Sequence, residues 1–372
     1  MLPSQEPAGY LLLEDGTRYD GWLAGRTEGG TGEVVFTTNM TGYQEVLTDP
    51  SYAGQVVVMT APMMGVYGVR EGEDQSRKPW VSGFVVRELT DPGDNPRADA
   101  GTLRDYLEGR EIPALVGVDT RALTRRIREE GAMRGTIVPA DVDPDEARER
   151  LEGEPSMNGR DLANSVTVES PYEVEPDGPE RGEVICLDYG VKYRSLELIA
   201  GAGYRVRVVP SDTPAGEIVE RSPSGVFVSN GPGDPDAVEG AVERVRSVSD
   251  AGLPVFGICL GQQLVARAFG GSNFKLLYGH RGGNHPVKNL DTGDVEITSQ
   301  NHGFAVEEED DGGVAGAPDL RITHRNLNDG TIEGLAHRER PVFAVQYHPE
   351  SAPGPHDSRY LFDRFVAAMQ AG

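Results

Sequence analysis

The chain has 372 residues, enough for about two domains of ordinary size and at least one sizeable core. Sixty acidic residues against 35 basic ones give a net charge of −25, a field that repels nucleic acid and anionic membranes and argues against both as partners. Lysine occurs only at positions 78, 192, 275 and 288, and this acidic, lysine-poor composition is read as adaptation to a high-salt cytoplasm.

Along the chain, MLPSQEPAGYLLLEDG at the start has no basic segment followed by an apolar one, so it does not read as a secretory signal. No apolar run approaches the ~18 residues that a membrane helix needs, and the expectation is a cytoplasmic protein. YLLLEDGTRYDGWLAG alternates apolar and polar residues about Asp15-Gly16, which predicts a hairpin. GEVVFTT and QVVVMTAP predict further strands. TRALTRRIREEGA predicts a helix from Thr120, capped by Thr120 or Asp119 and ended by Gly131. These elements define a mixed α/β domain over residues 1–167. Residues 168–182, VESPYEVEPDGPERG, are acidic, rich in Pro and Gly and without apolar periodicity, and read as a linker.

From residue 183 to 372 the pattern changes to strands alternating with helices. EVICLDYG, RVRVVPS, GVFVSNGPG, PVFGICLG and PVFAVQYHPE are strands, with helices such as AVERVRSVSDAG and QQLVARAFGG between them. Such alternation implies an α/β domain with a mostly parallel central sheet flanked by helices, whose active site gathers at the carboxyl ends of the strands. Three strand-end loops carry reactive or small residues: SNGPGDP, GICLGQ and YHPES.

Cys186 and Cys259 are too few for a disulfide framework. Cys259 falls in a strand-to-helix turn between Gly257 and Gly261, where a side chain stands exposed at the top of a sheet and a helix N-terminus favours thiolate. GxCxG alone is a weak pattern that favours a nucleophile only slightly over a buried cysteine acting as a small hydrophobe. A thiolate nucleophile needs a base and an orienting acceptor. His348 and Glu350, on either side of Pro349, supply both at one strand end. Backbone N–H groups of Gly231 and Leu260 would stabilise an oxyanion. The histidines lack ligand spacing with cysteines, so no metal is expected.

SNGPGDP, GICLGQQ and QYHPE together, in this order and at this wide separation, resemble the class I glutamine amidotransferases over most of residues 183–370. GEVVFTTNMTGYQEVLTDPSYAGQ, VGVDTRALTRRIREEGA and HPESAPGPHD resemble the carbamoyl phosphate synthetase small subunit, so the likeness covers nearly the full chain. The resemblance implies a Cys259–His348–Glu350 triad hydrolysing L-glutamine through a thioester and passing ammonia to a large synthetase subunit. It also implies glutamine-binding positions at Ser51, Gly231, Gly233, Leu260, Gln263, Asn301, Gly303 and Phe304, and places Lys192 near the cleft. The large subunit would make carbamoyl phosphate from bicarbonate for pyrimidine and arginine biosynthesis. No GxxxxGK[ST] loop occurs, so no cofactor is expected on this chain, and ATP and Mg are expected on the partner. GVKYRS stands where the family usually has GxKxNI, Val66 where it usually has Asn, and Gln262 where His is more frequent. A free-standing thiol amidase or γ-glutamyl hydrolase would not need the first domain. A catalytically silent regulatory subunit would not need all three triad residues.

Overall fold

The computed structural model describes residues 7–93, 101–310 and 312–371. It divides into two compact units, one up to Met157 and one from Asn158.

In the first unit, β1 (Ala8–Leu13) and β2 (Arg18–Gly25) form the hairpin about Asp15-Gly16. Gly16 has φ 87°, the left-handed backbone that glycine adopts without penalty. The chain continues through β3 (Gly30–Thr37), α1 (Tyr43–Thr48), β4 (Gln55–Met59) and the short β5 (Met63–Met64). It then runs through β6 (Gly83–Val86), β7 (Glu88–Leu89), α2 (Leu103–Gly109) and β8 (Pro113–Val116). α3 (Thr120–Glu130), β9 (Met133–Pro139) and α4 (Pro144–Gly153) follow. The strands close as β1-β2-β8-β6-β4-β3-β9, while β5 and β7 pair separately. Closure removes the exposed edges that an open sheet would carry. β3, β4, β6 and β8 are mutually parallel, and Gln55–Met59 is buried at every position. That is why QVVVM reads as an unbroken apolar run and not as an alternating one. The side chain of Asp119 caps α3 through the Ala122 N–H, and Gly131 ends it at φ 101°.

The second unit begins earlier than the sequence pattern suggests. α5 (Ala163–Val166) precedes β10 (Tyr172–Val174), which pairs antiparallel with β12 (Tyr204–Pro210). The segment 168–182 is therefore not wholly a linker: its Tyr-Glu-Val triplet, too short to show periodicity, extends the sheet. Next come β11 (Gly182–Asp188), α6 (Tyr193–Gly201), α7 (Ala215–Glu220), β13 (Gly225–Val228) and α8 (Ala241–Asp250). β14 (Val255–Ile258), α9 (Leu260–Ala268), β15 (Asn273–Asn289) and β16 (Val295–Val306) follow. β17 (Leu320–Asn326), β18 (Ile332–His337), β19 (Val342–Val345) and α10 (Tyr360–Ala371) complete the chain. The sheet order is β10-β12-β11-β13-β14-β19-β18-β17-β15-β16. Its centre, β12 to β19, is parallel as the alternation predicts. β18, β17, β15 and β16 extend it with antiparallel pairings.

Both faces of this sheet are covered. On β11, Ile185 and Leu187 pack with Val245 and Leu264 of α8 and α9, whereas Val184 and Cys186 pack with Leu196 and Phe365 of α6 and α10. This is the two-residue alternation of a strand buried on both sides. Phe256 is the centre of the second layer, stacked on Phe343 at 4.6 Å and edge-on to Phe362 at 5.6 Å. Cys186 is thereby accounted for as core. Among the described residues no helix is long and apolar enough to cross a membrane.

Candidate active site

Cys259 links β14 to α9 with φ 56° and ψ −105°, a conformation that non-glycine residues rarely adopt. Its N–H is held by the Val345 carbonyl at 2.8 Å. The flanking glycines are sterically required. A Cβ on Gly257 would lie 2.8 Å from the Gly261 carbonyl, and one on Gly261 would lie 2.2 Å from the Val228 carbonyl. β13, β14 and the first turn of α9 thus press together and force the turn that holds the cysteine. Strain held in this way concentrates where function demands a fixed side chain.

His348 and Glu350 follow β19, adjacent to β14 in the sheet. The His348 N–H donates to the Ser299 carbonyl at 2.8 Å, which ties the loop to β16. Nδ1 of His348 lies 2.7 Å from Oε1 of Glu350. The Cys259 thiol interacts with the ring and also donates to the Asn301 carbonyl at 3.5 Å. Among the described residues Nε2 has no hydrogen-bond partner of ordinary geometry. Cys259, His348 and Glu350 are all buried.

Lys192 completes the group. Its Nζ lies 2.7 Å from Oε1 of Glu350 and donates to the Ala352 carbonyl at 2.9 Å. Lys192 is 2% exposed and Glu350 0%, so this is a buried ion pair. Asp188, at the end of β11, sets the loop that delivers it. Its Oδ1 accepts from the Gly190 and Val191 N–H groups at 2.9 and 2.8 Å, and its Oδ2 accepts from Val168 at 2.9 Å. Burial raises the Glu350 carboxyl, but the adjoining Lys192 and His348 outweigh it and hold it down at about 2. Burial pushes His348 down, the Glu350 charge overcomes this, and Lys192 opposes in part, leaving the ring held up at about 10.

The loop after β13 approaches the same point. A Cβ on Gly231 would fall 2.1 Å from the Tyr189 carbonyl and 2.9 Å from Leu260 Cδ2, so the bare backbone of Gly231 runs beside Leu260. Leu260 is the first residue of α9, a position whose N–H has no acceptor within the helix. Gly233, at φ 93°, serves a different contact: its Cβ would meet the Arg160 carbonyl at 2.6 Å. Asn301, Gly303 and Phe304 lie on β16. The Gln263 Nε2 donates to the Phe304 carbonyl at 2.9 Å and to Gln346 Oε1 at 3.2 Å, so this amide braces β16. Ser51 belongs to the first unit, within a single 3-10 turn capped by Asp49, whose Oδ1 accepts from the Ser51 N–H at 2.9 Å.

Asp188, Gln300, His302, Glu333 and Gln346 escape the sequence reading. For Asp188 the signal existed: a lone acid closing the apolar run VICL, just before DYGVK. Among the described residues His280, His302 and Glu333 have the composition of a metal site. Their polar atoms are instead engaged chiefly by protein groups: Asp329 for His280, Phe304 and Gln300 for His302, Asn326 and Gln300 for Glu333. They form a hydrogen-bonded network.

Residues 185–368 match the family model for class-I glutamine amidotransferases, and residues 11–137 match that for the carbamoyl-phosphate synthase small chain, CPSase domain. The carbamoyl phosphate synthase small chain of Thermus thermophilus is 47% identical over 372 residues, covering 97% of this chain and 93% of its own. That of Synechococcus is 47% identical over 378 residues, covering 99% and 95%. That of Symbiobacterium thermophilum is 48% identical over 362 residues, covering 96% and 97%.

Proposed function

The chain belongs to the family of carbamoyl phosphate synthase small chains, with a class I glutamine amidotransferase domain, and from that premise we propose how its residues divide the work. Cys259 is the nucleophile, His348 the proton carrier and Glu350 the acceptor that fixes the ring. The observation that carries this reading is the meeting of a strained, buried Cys259 with the His348–Glu350 pair at 2.7 Å.

In the first step Cys259, its proton carried by His348, bonds through sulfur to the side-chain carbonyl carbon of glutamine. The carbonyl π pair moves onto oxygen, where the N–H groups of Gly231 and Leu260 stabilise it. Collapse of this intermediate breaks the C–N bond, and the His348 proton goes to nitrogen, which leaves as ammonia. Water then gives a proton to His348 and attacks the thioester. The C–S bond breaks, the proton returns to sulfur, and glutamate departs. The Glu350 charge stabilises the protonated ring through both steps.

The glutamine amino-acid end lies along Asn301, Gly303 and Phe304, with Gly233 and Gln263 shaping the pocket. Ammonia goes to the large synthetase subunit, paired with this chain in a heterodimer. That subunit holds ATP and Mg and makes carbamoyl phosphate from bicarbonate. The first unit, residues up to Met157, is the surface for that subunit.

Intact mass spectrometry after rapid acid quench of the turning-over complex tests the assignment. A covalent adduct of one glutamyl group on Cys259, absent from Cys259→Ser, is expected. An adduct on another residue, or full turnover by Cys259→Ser, would refute it.

A further inference from the structure

Beside the triad, β16 has a second layer of support that the reaction scheme leaves unused. The His302 side chain is buried, with Nδ1 2.7 Å from the Phe304 carbonyl and Nε2 2.9 Å from Gln300 Oε1. Gln300 Nε2 in turn donates to Glu333 Oε2 at 2.9 Å and to Thr298 Oγ1 at 3.1 Å. The Thr298 hydroxyl hydrogen is committed to the His285 carbonyl at 2.9 Å. Glu333 is fully buried, and its Oε1 accepts from Asn326 Nδ2 at 2.8 Å.

A proton inventory of this chain does not close with neutral histidine and ionised glutamate. The Phe304 carbonyl can only accept, so Nδ1 of His302 carries a hydrogen. The ionised carboxylate and the Thr298 oxygen both demand the NH₂ end of Gln300. That leaves Gln300 Oε1 facing Nε2 of His302, which must then carry a second hydrogen. If the amide is turned over instead, Glu333 must carry the proton and donate it to Gln300, whose NH₂ then serves neutral His302, while the Thr298 hydroxyl turns from the His285 carbonyl to donate to Gln300 Oε1. Either way the chain is complete only with one extra proton, held on His302 or on Glu333.

We propose that Glu333 is a positioning residue for the glutamine pocket, sharing one proton with His302 across the Gln300 amide and so fixing the Phe304 carbonyl. This rests on the reading of Asn301 to Phe304 as the substrate wall. Phe304 O also receives Gln263, and Asn301 O receives the Cys259 thiol, so slack in this strand reaches both pocket and nucleophile. Loss of the shared proton sets two lone pairs against each other at Gln300 and His302 and loosens the wall.

The surrounding charges make that loss reachable. His280 and His285 of β15 flank the network, with ring centroids 5.0 Å from His302 to His280 and 5.2 Å from His280 to His285. Asp329 in the β17–β18 turn binds His280 at 2.7 Å, and Arg281 of β15 and Tyr347 after β19 complete the ionisable groups around the pair. Burial pulls His280 down, but its two carboxylate partners overcome this and hold it up at about 9. Burial, and then the His280 charge, push His302 well down. The positive charge therefore rests first on His280, and His302 gives up its proton the more easily.

The test is steady-state glutaminase kinetics of the complex with its synthetase subunit between about pH 6 and about pH 9, for native protein, Glu333→Gln and Glu333→Leu. In the native complex KM for glutamine should rise toward alkaline pH more than kcat falls. Glu333→Gln carries a permanent NH₂ donor and completes the chain without the extra proton. It should keep KM near native at neutral pH and flatten the alkaline rise. Glu333→Leu should raise KM about tenfold or more at every pH, the cost of one buried unsatisfied group, with kcat little changed. In ¹⁵N-imidazole spectra the His302 signal should become insensitive to pH in Glu333→Gln. A native KM in Glu333→Leu, a native pH response in Glu333→Gln, or kcat falling in step with KM in both would overturn the proposal. Failure of the substrate-wall reading has its own signature: no variant moves KM, yet Glu333→Leu still lowers the melting temperature.

Discussion

Lys192→Met replaces a buried ammonium by an apolar group of similar length. In the native protein Nζ sits 2.7 Å from Glu350 Oε1, with 2% and 0% of the two side chains exposed. Among the described residues Glu350 Oε2 has no hydrogen-bond partner and Oε1 keeps only His348 Nδ1 at 2.7 Å, so the lost contact is replaced only in part. Removing one partner of a buried pair costs about 3–5 kcal/mol where the other charge is left unpaired; His348 still faces Glu350 at 2.7 Å, so the lower figure, about 3 kcal/mol, applies. For a unit of this size each kcal/mol lowers Tm by about 2–4 °C, so the fall should be about 6–12 °C. The exposed pair Arg194–Glu197 provides the internal scale, with side chains 37% and 55% exposed. Arg194→Met should cost no more than about 1 kcal/mol. Chemistry should suffer too. Lys192 lowers the proton affinity of His348, so its loss makes the ring release its proton less readily. Each unit by which the ring's pKa rises makes that release tenfold less favourable, so glutaminase kcat should fall. Differential scanning calorimetry and glutamate release on the same preparations are the assays. A Tm within about 2 °C of native for Lys192→Met would mean that the pair stores no buried charge, and the electrostatic account of the triad would fail.

Three further expectations follow from the same geometry. The folded His348 is raised to about 10 against an ordinary 6.5, so its contribution to stability is complete below about pH 6.5 and is lost as pH rises through about 10. Glu350, depressed to about 2 from 4.5, contributes fully above about pH 4.5 and loses this as pH falls through about 2. Chemical denaturation across pH should therefore show the alkaline loss weakened in His348→Asn, and an unchanged profile would contradict the assignment. Gly261→Ala sets a Cβ 2.2 Å from the Val228 carbonyl, so backbone must move. It should lower Tm and abolish turnover together, and a fully active variant would show the turn to be slack. Asp188→Ala strips acceptors from the Gly190, Val191 and Val168 N–H groups, costing about 3 kcal/mol or more. It should also impair catalysis by freeing Lys192, measurable as reduced glutamate release.

What was legible in the sequence was local. Asp15-Gly16 announced a hairpin because only a left-handed glycine closes so short a turn. Asp119 and Gly131 bounded α3 because caps are read from neighbouring residues. Cys259 stood out because two glycines around a lone thiol between strand and helix have a steric cause, now visible at Val228. What was hidden depends on pairings far apart in the chain. Lys192 meets Glu350 across 158 positions, and no spacing rule announces a buried ion pair of that kind. Tyr172–Val174 looked like linker because a three-residue edge strand has no period to detect. The closed barrel was also out of reach, since closure depends on β9 pairing with both β1 and β3. The Gln263 amide nitrogen donates to Phe304 and Gln346, 41 and 83 positions away, and no local pattern announces such contacts.

The most direct test of the central claim is glutamate release from glutamine in concentrated KCl, measured for this chain alone and with its synthetase subunit, bicarbonate and ATP. Cys259→Ser is carried through both settings. The account predicts release that requires Cys259 and increases when the partner and its substrates are present. Release that persists in Cys259→Ser would contradict it, as would release that ignores the partner.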